Sequence, residues 1–272
     1  MEYTLSDSTF TELSRIIEER TGIHIPGTKR YLVENRLIRV LEENNLKGYD
    51  EYLYLLKYSP NGREYERLYD AITTNETYFF REPLQFDLLV DHIVPRVIEL
   101  KGGERSLRVW SAACSSGEEP YTLSMVMRER RPDVNTDIVG SDISNKVLAA
   151  AERAVYGSYA VRNVPENYMK RYFTEKGRDF LLDPSVRKTV RFRNFNLLTE
   201  RVGMDFMNLD VVFCRNVLIY FDIKTKQQVV SMLYDCLRPG GMLVIGSSES
   251  LHNVTRAFRP VTLDKVVIYE KR

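Results

Sequence analysis

The chain has 272 residues, of which 43% are hydrophobic and 28% are charged, and it carries a formal net charge of +1. This composition is typical of a globular protein. The length is large for a single hydrophobic core and suits a main domain with a smaller companion. The balanced charge argues against a nucleic-acid binder that depends on bulk positive charge, and no stretch reaches the apolar length of a membrane span.

The start of the chain and its cysteines bear on its location. Residues 1–5 lack the basic start and apolar core of an export signal, so we expect a cytoplasmic protein. Cys114, Cys214 and Cys236 are odd in number and lack metal-binding spacing, and the three histidines are scattered. We therefore expect reduced thiols and no metal site.

The first 73 residues predict a small helical domain. Amphipathic helices are predicted over residues 7–21, about 29–45, 49–58 and 62–72, with turns rich in glycine and proline between them. On the second helix, Lys29, Arg36 and Arg39 fall within about 80° of one another at 100° per residue. This basic edge is interpreted as a docking surface for an acidic helix, although such an edge is often only a solvated face.

A strand, a helix and a second strand are predicted next, at Leu107–Ser111, about Tyr121–Arg131 and Ile138–Ser141. This order is typical of a βαβ unit in a right-handed parallel sheet. The turn after the first strand contains only Gly117, followed by Glu118 and Glu119. It is therefore a poor cradle for a phosphate, which needs bare backbone and no nearby carboxylates. Asp142 ends the second strand, where an acid suits a ribose diol.

These features together favour a nucleoside ligand without phosphate and with a cationic tail. S-adenosylmethionine is such a molecule, because it carries an ammonium, a sulfonium and a ribose. Asp210–Cys214 predicts another buried parallel strand, and Arg215 and Asn216 stand at its end. Ligands in open α/β sheets lie beyond the carboxyl ends of the strands, so both side chains are candidate ligand contacts.

The remaining elements fall on either side of that strand. Helices are predicted at 146–156, 161–173 and 223–237, antiparallel strands at 179–182 and 189–195, and further strands at 242–246 and 266–269.

Four motifs resemble the CheR-type chemotaxis receptor glutamate O-methyltransferases. They are Asn75–Arg81, Trp110–Tyr121, Ser141–Ile143 and Phe213–Phe221, in that order. The resemblance implies an α/β fold, namely a class I methyltransferase (Rossmann-like) sheet in residues 74–272. It also implies an N-terminal helical receptor-docking domain in residues 1–73 and an inserted antiparallel β-subdomain at about 174–195.

The same resemblance implies an S-adenosylmethionine-dependent enzyme that methylates glutamate side chains of chemoreceptors for adaptation in chemotaxis, with S-adenosylhomocysteine as product. Its partner would be the cytoplasmic helical region of transmembrane chemoreceptors, with no nucleic acid, no membrane insertion and a monomeric state. By position, the cofactor contacts would be Asn75, Thr77, Arg81, Glu119, Asp142, Asn196, Leu197, Arg215 and Asn216. Arg81 and Tyr220 would be catalytic, with Tyr220 near the transferred methyl, and Glu118 would only cap its helix.

Two other functions are compatible with parts of this pattern. The first is methylation of nucleic-acid bases. Enzymes that methylate the amino groups of bases commonly carry an Asn/Asp-Pro-Pro-aromatic string where this chain has Cys214–Val217, and the absence of proline there argues against this function. A non-catalytic adaptor would be expected to lose Arg81, Asp142 or Tyr220 first, and all three are present. The connector at residues 174–178 is short beside those of relatives that grip a receptor pentapeptide, which argues against such a tether.

Overall fold

Within the residues that the structure describes, the N-terminal part of the chain folds into four α-helices. The computed structural model describes residues 3–58, 62–199 and 201–272. Its first helices are α1 (Asp7–Thr21), α2 (Arg30–Glu43), α3 (Tyr49–Tyr58) and α4 (Arg63–Ile72). Their apolar faces meet around fully buried side chains such as Leu13, Val33, Leu37 and Tyr52. Each helix buries one face in this shared core, which explains the amphipathic pattern of each segment.

Helix α1 shows why the predicted boundaries hold. Ser6 accepts a hydrogen bond from the backbone N–H of Thr9, and Gly22 ends the helix in the left-handed conformation at φ 75°. Helix α2 begins later than expected, because Lys29 belongs to a short 3₁₀ turn, Gly27–Lys29, that precedes it.

The main domain contains a seven-stranded sheet in the order β6-β2-β1-β7-β8-β10-β9. Its strands are β1 (Ser106–Ala112), β2 (Asn135–Asp142), β6 (Val190–Asn194), β7 (Leu209–Cys214), β8 (Leu237–Ile245), β9 (Phe258–Leu263) and β10 (Val266–Lys271). Only the pairings of β10, with β8 and β9, are antiparallel.

Both faces of this sheet are buried. Along β7, Val211 and Phe213 pack into one core, whereas Val212 and Cys214 pack into another on the opposite face. The continuous apolar run that predicted this strand follows from burial on both sides. The covering helices are α5 (Leu84–Leu88), α6 (Val94–Leu100), α7 (Glu118–Arg130), α8 (Asn145–Arg153) and α12 (Ile223–Cys236).

A smaller antiparallel sheet, in the order β3-β5-β4, lies between α8 and β6 in sequence. It consists of β3 (Val155–Gly157), β4 (Phe173–Lys176) and β5 (Asp179–Leu182), with the short helices α9 (Ser158–Val161), α10 (Glu166–Tyr172) and α11 (Pro184–Arg187) around it. We call residues 154–187 the small-sheet subdomain.

Two details of this region differ from the sequence prediction. The segment 189–195 is not an antiparallel strand of the insert, because Val190–Asn194 pairs in parallel with β2. Val190 and Phe192 alternate inward as a strand at one edge of the main sheet, and alternation alone does not reveal the strand's partner. The third strand of the small sheet is instead Val155–Gly157, since α8 ends at Arg153 and Ala154 turns the chain at φ 51°.

The helical domain lies against the main domain through polar and backbone contacts. Ile23 forms an antiparallel bridge with Phe221, and the N–H of His24 donates to the Tyr220 carbonyl at 2.9 Å. At a second point, the hydroxyl of Ser144 donates to Asp70 at 2.5 Å. The end of α1 is thereby held beside the carboxyl end of β7.

Two negative findings concern the described ranges alone. None of their helices is long and apolar enough to cross a membrane. Within the same ranges, no three His, Cys, Asp or Glu side chains converge as a metal site would require.

Candidate active site

A pocket opens at the carboxyl ends of β1, β2 and β7, where the strand order reverses direction. From β1 the chain first adds β2 and β6 on one side and later adds β7 and β8 on the other side. A crevice therefore forms between these two halves of the sheet, at the carboxyl ends of β1 and β7. All ten residues predicted as cofactor contacts or catalytic groups line this one pocket: Asn75, Thr77, Arg81, Glu119, Asp142, Asn196, Leu197, Arg215, Asn216 and Tyr220.

The helical domain supplies part of the pocket wall, which the sequence did not predict. Thr21 and Ile23, from the end of α1, face it together with Thr73 and Thr74 from the linker after α4. Because Thr21, Ile23 and Thr73 belong to the helical domain, no local pattern places them beside the strand ends of the main domain.

Glu119 is held in one orientation at both carboxylate oxygens. Ser111 donates a hydrogen bond to Oε1 at 2.7 Å, and the Arg215 guanidinium donates to Oε2 at 2.8 Å. Arg215 also lies 3.2 Å from the Glu82 carboxylate and donates to the Arg81 carbonyl at 2.6 Å. The side chain of Arg215 is only 2% exposed, whereas those of Glu119 and Glu82 are 15% and 22% exposed, so the guanidinium is desolvated and the carboxylates are partly so.

The charges in this network do not cancel. One guanidinium stands between the carboxylates of Glu82 and Glu119, so this group of three side chains carries one net negative charge. Burial acts to raise the pKa of Glu82, but the charge and hydrogen bond of Arg215, together with hydrogen bonds from Ser247, outweigh it, so the net pKa is lowered. An excess carboxylate fits a cationic ligand group.

Glu82 was missed by the sequence reasoning. It follows directly after the predicted Asn75–Arg81 motif and adopts a positive φ of 57°. An acid beside a candidate site arginine was the available signal, but its pairing with Arg215, in the loop after β7, depends on the tertiary fold.

Asp142 stands at the end of β2 and is 6% exposed. One carboxylate oxygen accepts the N–H of Ser115 at 2.9 Å, and the other accepts the N–H of Ser144 at 3.0 Å. Burial raises the pKa of Asp142, and these backbone donors partly offset the rise. Each oxygen keeps a lone pair that a ribose hydroxyl can use.

The turn between β1 and α7 is shaped by Gly117. Its φ is 90°, and a Cβ placed there would lie 2.9 Å from the Ala151 Cβ, so only glycine fits without movement. Glu118 follows it and is outside the pocket lining, as expected. Its carboxylate accepts the Ser116 hydroxyl at 2.8 Å, and burial raises its pKa to about 7.

Burial and hydrogen bonds hold the segment 75–81 in place beside the pocket. Phe79 is fully buried, and the N–H of Phe80 donates to the Thr122 hydroxyl at 3.2 Å. Asn75 donates to the Thr73 hydroxyl at 3.1 Å, and the Arg81 guanidinium donates to the Glu76 carbonyl at 3.2 Å.

The loop after β7 is tied down by Glu249, a residue that the sequence analysis did not single out. Its carboxylate accepts the N–H groups of Asn216 at 2.8 Å, Gly246 at 2.7 Å and Ile219 at 3.3 Å. Asn216 has a positive φ of 57°, which these bonds support. The loop carries Tyr220 into the pocket, so Glu249 fixes the position of a predicted catalytic group.

Asn196 lines the pocket, but both ends of its side chain bond to protein. Its amide nitrogen donates to the carbonyl of Arg20 at 2.8 Å, and its amide oxygen accepts the N–H of Leu198 at 3.0 Å. The side chain therefore links the main domain to the end of α1. Its neighbour Leu197 is buried and presents an apolar wall.

The three residues of the predicted basic edge differ in their surroundings. Lys29 and Arg39 are exposed. Arg36 instead turns toward the interdomain linker, where its guanidinium donates to the Ile72 carbonyl and, at 2.6 Å, to the Thr74 hydroxyl. Burial lowers the pKa of Arg36.

The comparisons with known proteins agree with this geometry. The all-alpha domain of the CheR methyltransferases matches residues 8–73, and their SAM binding domain matches residues 75–267. The chain belongs to the CheR methyltransferase family. Residues 75–267 are therefore an S-adenosylmethionine-binding methyltransferase domain, and the predicted class I fold is confirmed.

Curated relatives match along nearly the whole chain. A chemotaxis protein methyltransferase 2 of Vibrio cholerae is 33% identical, with 99% of this chain and 95% of that protein covered. A chemotaxis protein methyltransferase of Pseudomonas putida is 35% identical over 97% of this chain and 98% of its own. A third, from Pseudomonas aeruginosa, is 37% identical, with coverages of 96% and 97%.

Proposed function

We propose that this enzyme transfers the methyl group of S-adenosylmethionine to glutamate side-chain carboxylates of chemoreceptors, giving methyl esters and S-adenosylhomocysteine. The observation that carries the proposal is a pair of carboxylates in one pocket. Asp142 is buried at the end of β2, and Glu119 is partly buried in the first turn of α7, where it is bonded to Ser111 of β1. Membership of the CheR family supports the substrate class.

The residues present fit the methyl donor. Glu119, with the uncompensated negative charge beside Arg215, suits an ammonium, and Asp142 suits the ribose diol. Leu197 gives an apolar wall for a base. When bound, S-adenosylmethionine supplies a methyl group on an electrophilic sulfonium.

The acceptor needs little proton chemistry. A glutamate side chain has a reference pKa of about 4.3, so it is already a carboxylate at neutral pH. The task of the enzyme is then to remove water and to hold the carboxylate oxygen in line with the methyl group. Charges of opposite sign meet and cancel during the transfer, so a site that is poor in water favours the reaction.

We assign the two polar groups nearest this task to Arg81 and Tyr220. Among the described residues, the Arg81 guanidinium makes one hydrogen bond, to the Glu76 carbonyl, so it retains donors for an incoming carboxylate. Arg215 is unsuited to that role, because both of its terminal nitrogens already serve Glu119, Glu82 and the Arg81 carbonyl, which leaves only its buried Nε without a partner among the described residues. Tyr220 would hydrogen-bond near the reacting oxygen.

The partner in this proposal is the cytoplasmic helical region of a chemoreceptor, which places the enzyme in the cytoplasm. Such a helix carries the glutamates to be methylated and is therefore acidic. Lys29 and Arg39 are exposed on the helical domain, whose linker forms part of the pocket wall. Opposite charges at such a rim mainly speed encounter.

The test uses methyl-labelled S-adenosylmethionine and receptor-rich membranes. Label on receptor protein should be released as methanol in base, because carboxyl methyl esters hydrolyse and methylated amides or bases do not. Glu119→Gln should abolish most of the labelling, whereas Glu118→Gln, its neighbour outside the pocket, should retain it. Label that resists base, or that enters nucleic acid, would contradict the proposal.

A further inference from the structure

An arginine outside the pocket occupies a corner between two tyrosine rings. The guanidinium carbon of Arg162 lies 3.6 Å from the ring centre of Tyr78 and 3.7 Å from that of Tyr159. The two rings meet nearly at right angles, with an interplanar angle of 82°. The guanidinium also donates to the Tyr159 carbonyl at 2.5 Å, so Arg162 is fixed in this corner.

Each of the two tyrosines connects Arg162 to Arg81 through a further contact. The Tyr78 ring lies 5.7 Å from the Arg81 guanidinium carbon, on the pocket side. The Tyr159 hydroxyl donates to the Glu76 carboxylate at 2.6 Å, and Glu76 in turn accepts the guanidinium of Arg81 at its carbonyl oxygen. Two separate routes of contact therefore end on one side chain.

The corner joins two parts of the molecule. Tyr159 lies in α9 and Arg162 directly follows it, so both belong to the small-sheet subdomain. The segment that carries Tyr78 is already attached there, because the N–H of Phe79 donates to the Ala160 carbonyl at 2.9 Å. Neither Arg162 nor Tyr159 lines the pocket. Within the pocket, their contacts influence transfer by placing residues that do line it.

We propose that Arg162 is a positioning residue for methyl transfer, which connects the small-sheet subdomain to Arg81 through Tyr78 and through the Tyr159–Glu76 pair. This inference rests on the proposed function, because it assumes that Arg81 acts at the reacting end of the pocket. Arg162 orders the two rings, the rings order Glu76 and Arg81, and the Arg81 donors are thereby aimed at the acceptor carboxylate.

The experiment measures receptor methylation for wild type, Arg162→Ala, Arg81→Lys and the double variant, with the affinity for S-adenosylmethionine measured separately. Arg171→Ala is the matched control, because Arg171 is also an arginine of the small-sheet subdomain beside a tyrosine, 5.6 Å from the Tyr172 ring, and outside the pocket lining. Arg162→Ala should lower kcat by about five- to thirtyfold, the scale of two exposed cation–π contacts. Arg171→Ala should leave kcat unchanged.

The double variant decides whether Arg162 acts through Arg81. If it does, Arg162→Ala should cause little further loss of kcat once Arg81→Lys is present, since coupled residues are not additive. Losses that simply multiply, an equal loss in Arg171→Ala, or a normal kcat in Arg162→Ala would each overturn the inference. Failure of the wild-type enzyme to methylate receptor would instead count against the proposed function, so the two failures are distinguishable.

Discussion

The guanidinium of Arg215 lies 2.8 Å from the carboxylate of Glu119, although 96 residues separate them in the sequence. This ion pair joins the loop after β7 to the first turn of α7 across the centre of the sheet. Because Ser111 holds the other oxygen of Glu119, the carboxylate has one orientation toward the pocket. The pair itself is neutral, so it fixes the orientation of the Glu119 carboxylate, and the excess negative charge of the network comes from Glu82, the second carboxylate beside Arg215.

Replacing Arg215 by lysine should weaken the binding of S-adenosylmethionine by about tenfold or more, because one ammonium cannot hold Glu119, Glu82 and a carbonyl together. Arg238→Lys is the matched control, since Arg238 is also paired with a buried carboxylate, that of Asp210, outside the pocket. Titration calorimetry checks both variants. If Arg215→Lys bound the donor as tightly as the wild type, the positioning of Glu119 by Arg215 would be refuted.

Asp142→Ala should weaken S-adenosylmethionine binding by about 1.5–3 kcal/mol, the scale of a hydrogen bond to a charged group. Asp137→Ala, on the same strand but paired with Arg191, should leave the affinity unchanged. The measurement is again calorimetry, on variants whose folding has been confirmed by circular dichroism. Unchanged affinity in folded Asp142→Ala would mean that Asp142 only binds the backbone N–H groups of Ser115 and Ser144.

Tyr220→Phe should lower kcat by about ten- to hundredfold while the donor affinity stays nearly constant, because its hydroxyl is assigned to the reacting oxygen alone. Tyr234→Phe removes a hydroxyl that contacts the Arg272 carbonyl outside the pocket and should have no effect on kcat. Steady-state kinetics with receptor membranes separates these parameters. A parallel loss of affinity and rate would place Tyr220 in the donor site only.

Glu118 should make the stability of the protein depend on pH. Its pKa is about 7 in the folded protein, above the ordinary value of 4.5, so the folded state holds a proton that the unfolded state releases. Its stabilising contribution is present below about pH 4.5 and is lost as the pH rises to about 7. Gln at position 118 does not titrate. The difference in unfolding free energy between Glu118→Gln and wild type should therefore shift in favour of the variant, by up to about 3 kcal/mol, as the pH rises from 5 to 8.

Urea unfolding at both pH values measures this difference. Glu152→Gln, at an exposed position of α8, serves as the control and should show no such change with pH. A difference between Glu118→Gln and wild type that stays constant from pH 5 to 8 would rule out the raised pKa.

The docking proposal is tested best without Arg36, because that side chain contacts the interdomain linker. Lys29→Glu combined with Arg39→Glu should slow receptor methylation at low salt, and the deficit should shrink as ionic strength rises. The affinity for S-adenosylmethionine should not change. Normal methylation by the double variant at low salt would show that these two residues form only a solvated face.

Much of this site could be predicted because strand ends are marked by a change of residue type. The buried run Val211–Cys214 stops at Arg215, and the second strand stops at Asp142, so both positions could be assigned to the ligand-binding edge of the sheet. The Asn75–Arg81 segment came from the resemblance alone, since no period or composition marks it.

The parts that could not be predicted depend on tertiary pairing. The alternation of Val190–Asn194 predicts a strand, but not that its partner is β2. The contacts of Glu249 with Asn216 and of Glu82 with Arg215 join residues that are far apart in sequence. Asn196 looked like a cofactor contact, but in the fold its amide also bridges to the helical domain.

The most direct test of the central claim is to find the atom that receives the methyl group. The enzyme is incubated with methyl-deuterated S-adenosylmethionine and chemoreceptor, and receptor peptides are sequenced by tandem mass spectrometry at mildly acidic pH, where esters survive. The proposal predicts deuterated methyl esters on glutamate side chains of the receptor's cytoplasmic helices, and none with Glu119→Gln. Deuterium on lysine, on other side chains or on nucleic acid, with glutamate unmodified, would contradict it.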